Sequence, residues 1–196
     1  MDRVDLALTR LREPEYAHVE HLVVVDDGAV VAAHRLADRG LGEPGEVHSV
    51  TKSVLATVVL LAVRDGRLAL DSTLGGLLGA RVPRPRRVAR VRDLLAMTGG
   101  ALCAGLDDID RVMELPSGWV AALLAQPQRD PPGERFCYDN GAVHLLAAAV
   151  LAAAGDPAQL AADRIFAPLG IRDWEWPRDP EGIPLGYGGL RLSALD

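Results

Sequence analysis

The stretch HSVTKSV places Ser49 and Lys52 three residues apart, and Lys52 is the only lysine in the chain; the other 20 of its 21 basic residues are arginine. On a helix, side chains three apart share a face and can touch. A serine hydroxyl becomes a useful nucleophile when a neighbouring base takes its proton, and a lysine can be that base where burial or a nearby cation lowers its pKa. Arginine cannot, because it stays protonated. The position therefore calls for a cation that can give up a proton. A helix N-terminus adds free backbone N–H groups and a field that favours the oxyanion of acyl transfer. Ser-x-x-Lys alone is a short pattern that marks catalysis about one time in twenty. With five serines among 196 residues, however, a sole lysine falls three after one of them by chance only about 3% of the time.

A second rare pair lies in PPGERFCYDNGAV. Asn140 is the only asparagine and follows Tyr138, one of three tyrosines, by two residues, a placement with a chance frequency of about 2%. A phenol beside a lysine ammonium loses its proton more easily and can pass one between nucleophile and leaving group. An asparagine amide can hold a substrate carbonyl or orient the lysine, and it can also cap a helix. Cys137 alternates to the opposite face of this extended segment. His18, Glu20 and His21 lack the spacing of a helical zinc pair, so no metal is expected. The acidic residues Asp107, Asp108 and Asp110 read as a solvated loop. The arginine-rich segment 81–92 reads as an exposed loop rather than an anion site, since the formal net charge is -6.

These side chains need elements to hold them. HLVVVDDGAVVAAHR, residues 21–35, reads as a tight antiparallel hairpin turning at Asp27-Gly28. An apolar helix over 50–63, stopped by Arg64-Asp65-Gly66, is expected to be central. Short helices are expected over 91–97 and 117–125, and QPQRDPPGERF is expected to run extended. Asn140 is a candidate cap for an alanine-rich helix over 141–154, with a further short helix at 157–166 and a glycine-rich run at 182–189. Hydrophobic residues make up 49% and charged residues 24%. This balance fits a single globular domain with no nucleic-acid partner. The apolar runs at 54–63 and 145–154 are about half the length of a membrane span. The charged start without an apolar core implies no secretory signal and a cytoplasmic location. Cys103 and Cys137 form no CxxC pair and are expected as reduced thiols.

In this order the segments resemble the serine hydrolases related to class C beta-lactamases and penicillin-binding proteins. HSVTKSV is similar to their Ser-x-x-Lys block. VRDLLAMTGGA resembles the leucine pair before a Thr-Ser-Gly turn, with Gly99 where serine is usual. PPGERFCYDNGAVHLLAAAVLAAAG resembles the Tyr-x-Asn segment and its helix, IFAPLGIRDW the Phe-x-Pro-Leu-Gly segment, and GYGGLRLSALD the Gly-Gly-Leu segment. The match begins near residue 21 and runs to 196, leaving 1–20 as a leader.

The resemblance implies an α+β, beta-lactamase-like fold: a helical subdomain plus an antiparallel sheet. It also implies Ser49 as acylated nucleophile, Lys52 as its base, Tyr138 as proton shuttle and Asn140 as a substrate or lysine contact. The implied substrate is a small ester or amide, with no cofactor. The family's Lys/His-x-Gly strand, which gives the second oxyanion N–H, would follow the Gly-Gly-Leu segment, and this sequence ends at Asp196 before it. The C-terminal strands of the sheet are therefore expected to be missing. Two readings stay open: an active-site-serine hydrolase, with a second chain or oligomer as a candidate to complete the sheet, or a truncated relic or non-catalytic binding module.

Overall fold

Asp27 and Gly28 both adopt positive φ, 45° and 76°, the backbone that a two-residue turn needs to match the twist of its flanking strands. They join β1 (His21–Asp26) to β2 (Ala29–Arg35), paired antiparallel from His21↔Arg35 to Asp26↔Ala29. A register shift between Val24 and Val25 breaks the simple alternation that the sequence suggests. The computed structural model describes residues 3–102 and 107–196, without the side chains of Asp107 and Asp108.

The chain divides into two compact units. The first comprises Met1–Glu46, Asp173–Glu175 and Arg191–Asp196. It holds the helix α1 (Arg3–Arg10), the hairpin, and the short antiparallel pair β3 (Gly45–Glu46) and β4 (Arg191–Leu192). The hairpin leaves Val25, Val30 and Val31 more than half exposed.

The second unit, Val47–Arg172 and Trp176–Leu190, is helical. Its helices are α2 (Thr51–Arg64), α3 (Leu74–Leu78), α4 (Val91–Leu95), α5 (Asp107–Met113), α6 (Trp119–Ala125), α7 (Asn140–Ala154) and α8 (Pro157–Ala161). A π-type turn at Ala162–Phe166 and α9 (Ala167–Leu169) follow. On α2, Leu55, Val58, Val59 and Ala62 recur at helical spacing and are buried, while Leu60 on the other side is 54% exposed. The expected central helix is thus one-sided. The centre is α7, which contacts α2, α3, α4, α5, α6 and α8 and buries twelve of its 15 residues. Its alanines explain this, because short side chains let helices approach from every direction. Leu145, with no exposed surface, is expected to cost about 2–5 kcal/mol when cut to alanine. A lowered urea midpoint at unchanged slope would register that loss.

Several sequence expectations need correction. The cap of α7 is Asp139, whose carboxylate accepts from the Ala142 N–H at 2.9 Å, and Asn140 is the first helical residue. The arginine-rich segment is not wholly exposed: Arg86 is buried and donates to the Leu123 carbonyl. Burial lowers its pKa, against the raising field of Asp139, and a guanidinium still keeps its charge under such a shift. The acidic stretch from Asp107 opens α5 instead of forming a loop. Cys137 is disulfide-bonded rather than reduced; Cys103 lies outside the described residues.

Candidate active site

Ser49 sits in a single 3-10 turn, His48–Val50, that leads directly into α2. His48 before it has a φ of 47°, a left-handed geometry uncommon outside glycine. The Ser49 amide therefore lies in the first turn, where backbone N–H groups lack intrahelical acceptors. Thr51, fully buried, locks this entry, because its hydroxyl donates to the His48 carbonyl at 2.6 Å.

Lys52 is the second residue of α2, one turn beyond Ser49. Its Nζ donates to Ser49 Oγ at 2.9 Å and to the Tyr187 carbonyl at 2.5 Å. From the other side Tyr138 donates its hydroxyl to the same Oγ at 2.8 Å, and Nζ lies 5.0 Å from the centre of the Tyr138 ring. Three of the four residues singled out in the sequence are thereby brought together around one oxygen. Ser49 is exposed and Tyr138 is 40% exposed, so the oxygen is open to a ligand.

The segment before Tyr138 is held by two backbone bonds, Gly133 N–H to the Thr98 carbonyl at 2.8 Å and Cys137 N–H to the Met97 carbonyl at 2.9 Å. The hydrogen bond to Ser49 lowers the pKa of the Tyr138 phenol, and the Lys52 ammonium adds to the effect; partial burial opposes both. Asn140 is buried, and its Oδ1 has no hydrogen-bond partner among the described residues. The donors of Lys52 go to Ser49 and Tyr187 instead.

Sequence reasoning missed Tyr187 and Thr51. The run Tyr187–Leu190 is pinned at both ends: the Tyr187 carbonyl receives Lys52, while the Leu190 N–H donates to Thr51 Oγ1 at 3.3 Å and the Leu190 carbonyl accepts from Val47 N–H at 2.8 Å. Because Tyr187 acts through its main chain, its residue type carries no signal. The only pointer was the glycine-rich composition around it.

Among solved structures, the chain is similar to the octameric penicillin-binding protein homologue from Pyrococcus abyssi, with a TM-score of 0.81 and 21% identity over all of this chain and 54% of that one. A putative 6-aminohexanoate-dimer hydrolase from Bacillus anthracis aligns with a TM-score of 0.77 and 22% identity over 90% of this chain and 51% of that chain. The structure of SurE with D-Leu aligns with a TM-score of 0.75 and 29% identity over 98% and 49%. The chain thus spans about half the length of these structures. No curated protein matches the sequence. Helices and a small antiparallel component together make the α+β, beta-lactamase-like fold that these likenesses share. The family model described as beta-lactamase matches residues 20–193. A match over that share of its length means that the chain belongs to the beta-lactamase family.

Proposed function

We propose that the chain carries the acylating half of a serine hydrolase that cleaves a small ester or amide. The observation that supports this most directly is the double hold on Ser49 Oγ by Lys52 Nζ at 2.9 Å and Tyr138 OH at 2.8 Å. When Lys52 is neutral, the same contact reverses and the serine hydroxyl donates to the amine. Ser49 Oγ attacks the substrate carbonyl as its proton passes to Nζ. The carbonyl oxygen takes up the negative charge and accepts from the Ser49 amide. Lys52 returns the proton through Tyr138 to the leaving alcohol or amine, the carbonyl–leaving-group bond breaks, and an ester of Ser49 remains. Water then releases the acid by the same steps. The reading assigns Asn140 to the substrate or the lysine; its Oδ1, buried and without a hydrogen-bond partner among the described residues, is the acceptor that a donor from either would have to reach. The reading uses no metal and no organic cofactor.

Intact-mass detection of fluorophosphonate labelling tests this. One adduct per wild-type chain and none on Ser49→Ala is the expected result; an adduct on folded Ser49→Ala, or none on the folded wild type, would overturn it.

A second reading is favoured by the three exposed hairpin valines. In it the chain is a truncated relic or a binding module, and a second chain or another copy completes the sheet along the hairpin edge. Absence of labelling on a folded sample selects this reading, and the native mass measured on that sample tells a second copy from a lone chain. Among the described residues no single helix is long and apolar enough to cross a membrane. The cytoplasmic location stays part of the proposal. The disulfide at Cys137 argues the other way, since disulfides persist mainly in oxidising compartments; thiol alkylation in cell extracts quenched with acid separates the two.

A further inference from the structure

Two polar side chains with no exposed surface play no part in the chemistry above: His144 on α7 and Asp179 in the segment after α9. His144 Nε2 lies 3.0 Å from Asp179 Oδ2, and the Gly186 N–H donates to His144 Nδ1 at 3.4 Å. With Nδ1 accepting, the ring proton sits on Nε2 and is donated to the carboxylate. Asp179 Oδ1 accepts from the Glu181 N–H at 2.9 Å and the Ile183 N–H at 2.8 Å. Burial alone would raise the Asp179 pKa, but the bonds from His144, Ile183 and Glu181 outweigh it, and the carboxyl titrates below its ordinary value.

The segment between these contacts is folded onto itself and onto α7. Leu185 N–H donates to the Pro177 carbonyl at 2.9 Å, and Trp176 Nε1 donates to the Leu185 carbonyl at 2.8 Å. At Gly186 a Cβ would lie 2.5 Å from the Val143 carbonyl oxygen, so the main chain rests directly on the helix backbone and only glycine fits. The next residue is Tyr187, whose carbonyl holds Lys52 Nζ. A continuous set of contacts therefore runs from α7 through His144, Asp179 and Gly186 to the Tyr187 carbonyl and Lys52.

We propose that the His144–Asp179 pair is a positioning device for Lys52, fixing segment 179–187 so that the Tyr187 carbonyl holds Nζ against Ser49. Well-packed apolar residues would fill the same space at no loss of stability. They would not hold a carbonyl oxygen at a set place. The kinetic part of this inference rests on the acyl-transfer reading of Ser49 and Lys52; the structural part does not.

The sole lysine makes a direct test available. With isotope-labelled lysine, the Lys52 side chain gives one set of NMR signals in the whole protein. In Asp179→Asn the amide presents a donor to the Nε2–H of His144 and removes their bond at constant volume. The Lys52 signals are expected to move to the free-lysine position and sharpen, while His144→Gln, which keeps a donor towards Asp179, retains the wild-type position. At saturating fluorophosphonate, the first-order labelling rate of Asp179→Asn is expected to fall roughly 10- to 100-fold, the scale of a small misplacement. Stoichiometry stays at one adduct per chain, and the probe concentration for half-maximal rate stays unchanged.

Unmoved Lys52 signals in folded Asp179→Asn would overturn the proposal. So would a labelling loss that only tracks the unfolded fraction, or unfolding of both variants, which would make the pair a determinant of the fold alone. A wild type that takes no label defeats the acyl-transfer reading, while the lysine signals still decide the positioning.

Discussion

Lys52→Arg is expected to lose Ser49 labelling by at least about a thousandfold, the order at which removal of one member of a cooperating catalytic set is felt. The substitution keeps the positive charge. It also keeps donors that can reach the Tyr187 carbonyl, which now receives Nζ at 2.5 Å. What it removes is the ability to exist as a neutral base, because a guanidinium does not deprotonate in proteins. Lys52 is only partly buried, at the open end of α2, so the thermal midpoint is expected to stay close to that of the wild type. Labelling measured on samples matched for midpoint separates chemistry from folding. An arginine variant that labels at the wild-type rate removes the lysine from the mechanism and leaves only a cation at that place.

Tyr138→Phe is the second large effect. It deletes the hydroxyl 2.8 Å from Ser49 Oγ and keeps the ring against which the Lys52 ammonium lies at 5.0 Å. A positioned proton carrier contributes about 10²- to 10⁴-fold, and the loss is expected to depend on the leaving group. Esters of acidic phenols, which depart without a proton, should suffer little; amides and alkyl esters should suffer most. Equal losses across that series would show that Tyr138 only shapes the site. The sign of the pH effect follows from the hydrogen bond to Ser49 and the nearby ammonium, which together lower the phenol pKa. The wild-type labelling profile should therefore change on its alkaline side below pH 10.0, the ordinary tyrosine value, and that change should vanish in Tyr138→Phe.

Both predictions concern groups that meet at one oxygen, and the fold shows how the meeting is arranged. Ser49 and Lys52 come from one helix entry, locked by the buried Thr51 hydroxyl. Tyr138 arrives on a segment tied to the end of α4 through Met97 and Thr98. The Tyr187 carbonyl arrives on a segment pressed against α7 at Gly186. Both approaches border α7, the buried centre of the helical unit. A cavity at Leu145 is therefore expected to loosen the site as well as the core, since both rest on the same helix.

What the sequence by itself determined is local. A spacing of three puts Ser49 and Lys52 on one face because the helix period requires it. Asp27-Gly28 turns the hairpin because its two residues supply positive φ. The alanine-rich composition of 141–154 made a helix legible, although its cap went to Asp139 rather than Asn140, a choice between adjacent residue types that can both accept a hydrogen bond. The order of the motifs implied, by resemblance alone, that Tyr138 joins Ser49 and Lys52; how distant residues meet was decided by the tertiary structure. Tyr138 lies 89 residues from Ser49, and Tyr187 lies 135 from Lys52; no periodicity spans such separations. The lysine's acceptor is a main-chain carbonyl, which every residue type carries. Arg86 was drawn inside by the Leu123 carbonyl, and His144 and Asp179 are buried as partners of each other and of the Gly186, Glu181 and Ile183 amides, because a buried polar group is tolerated when another segment satisfies it. That satisfaction depends on the packing of the whole unit.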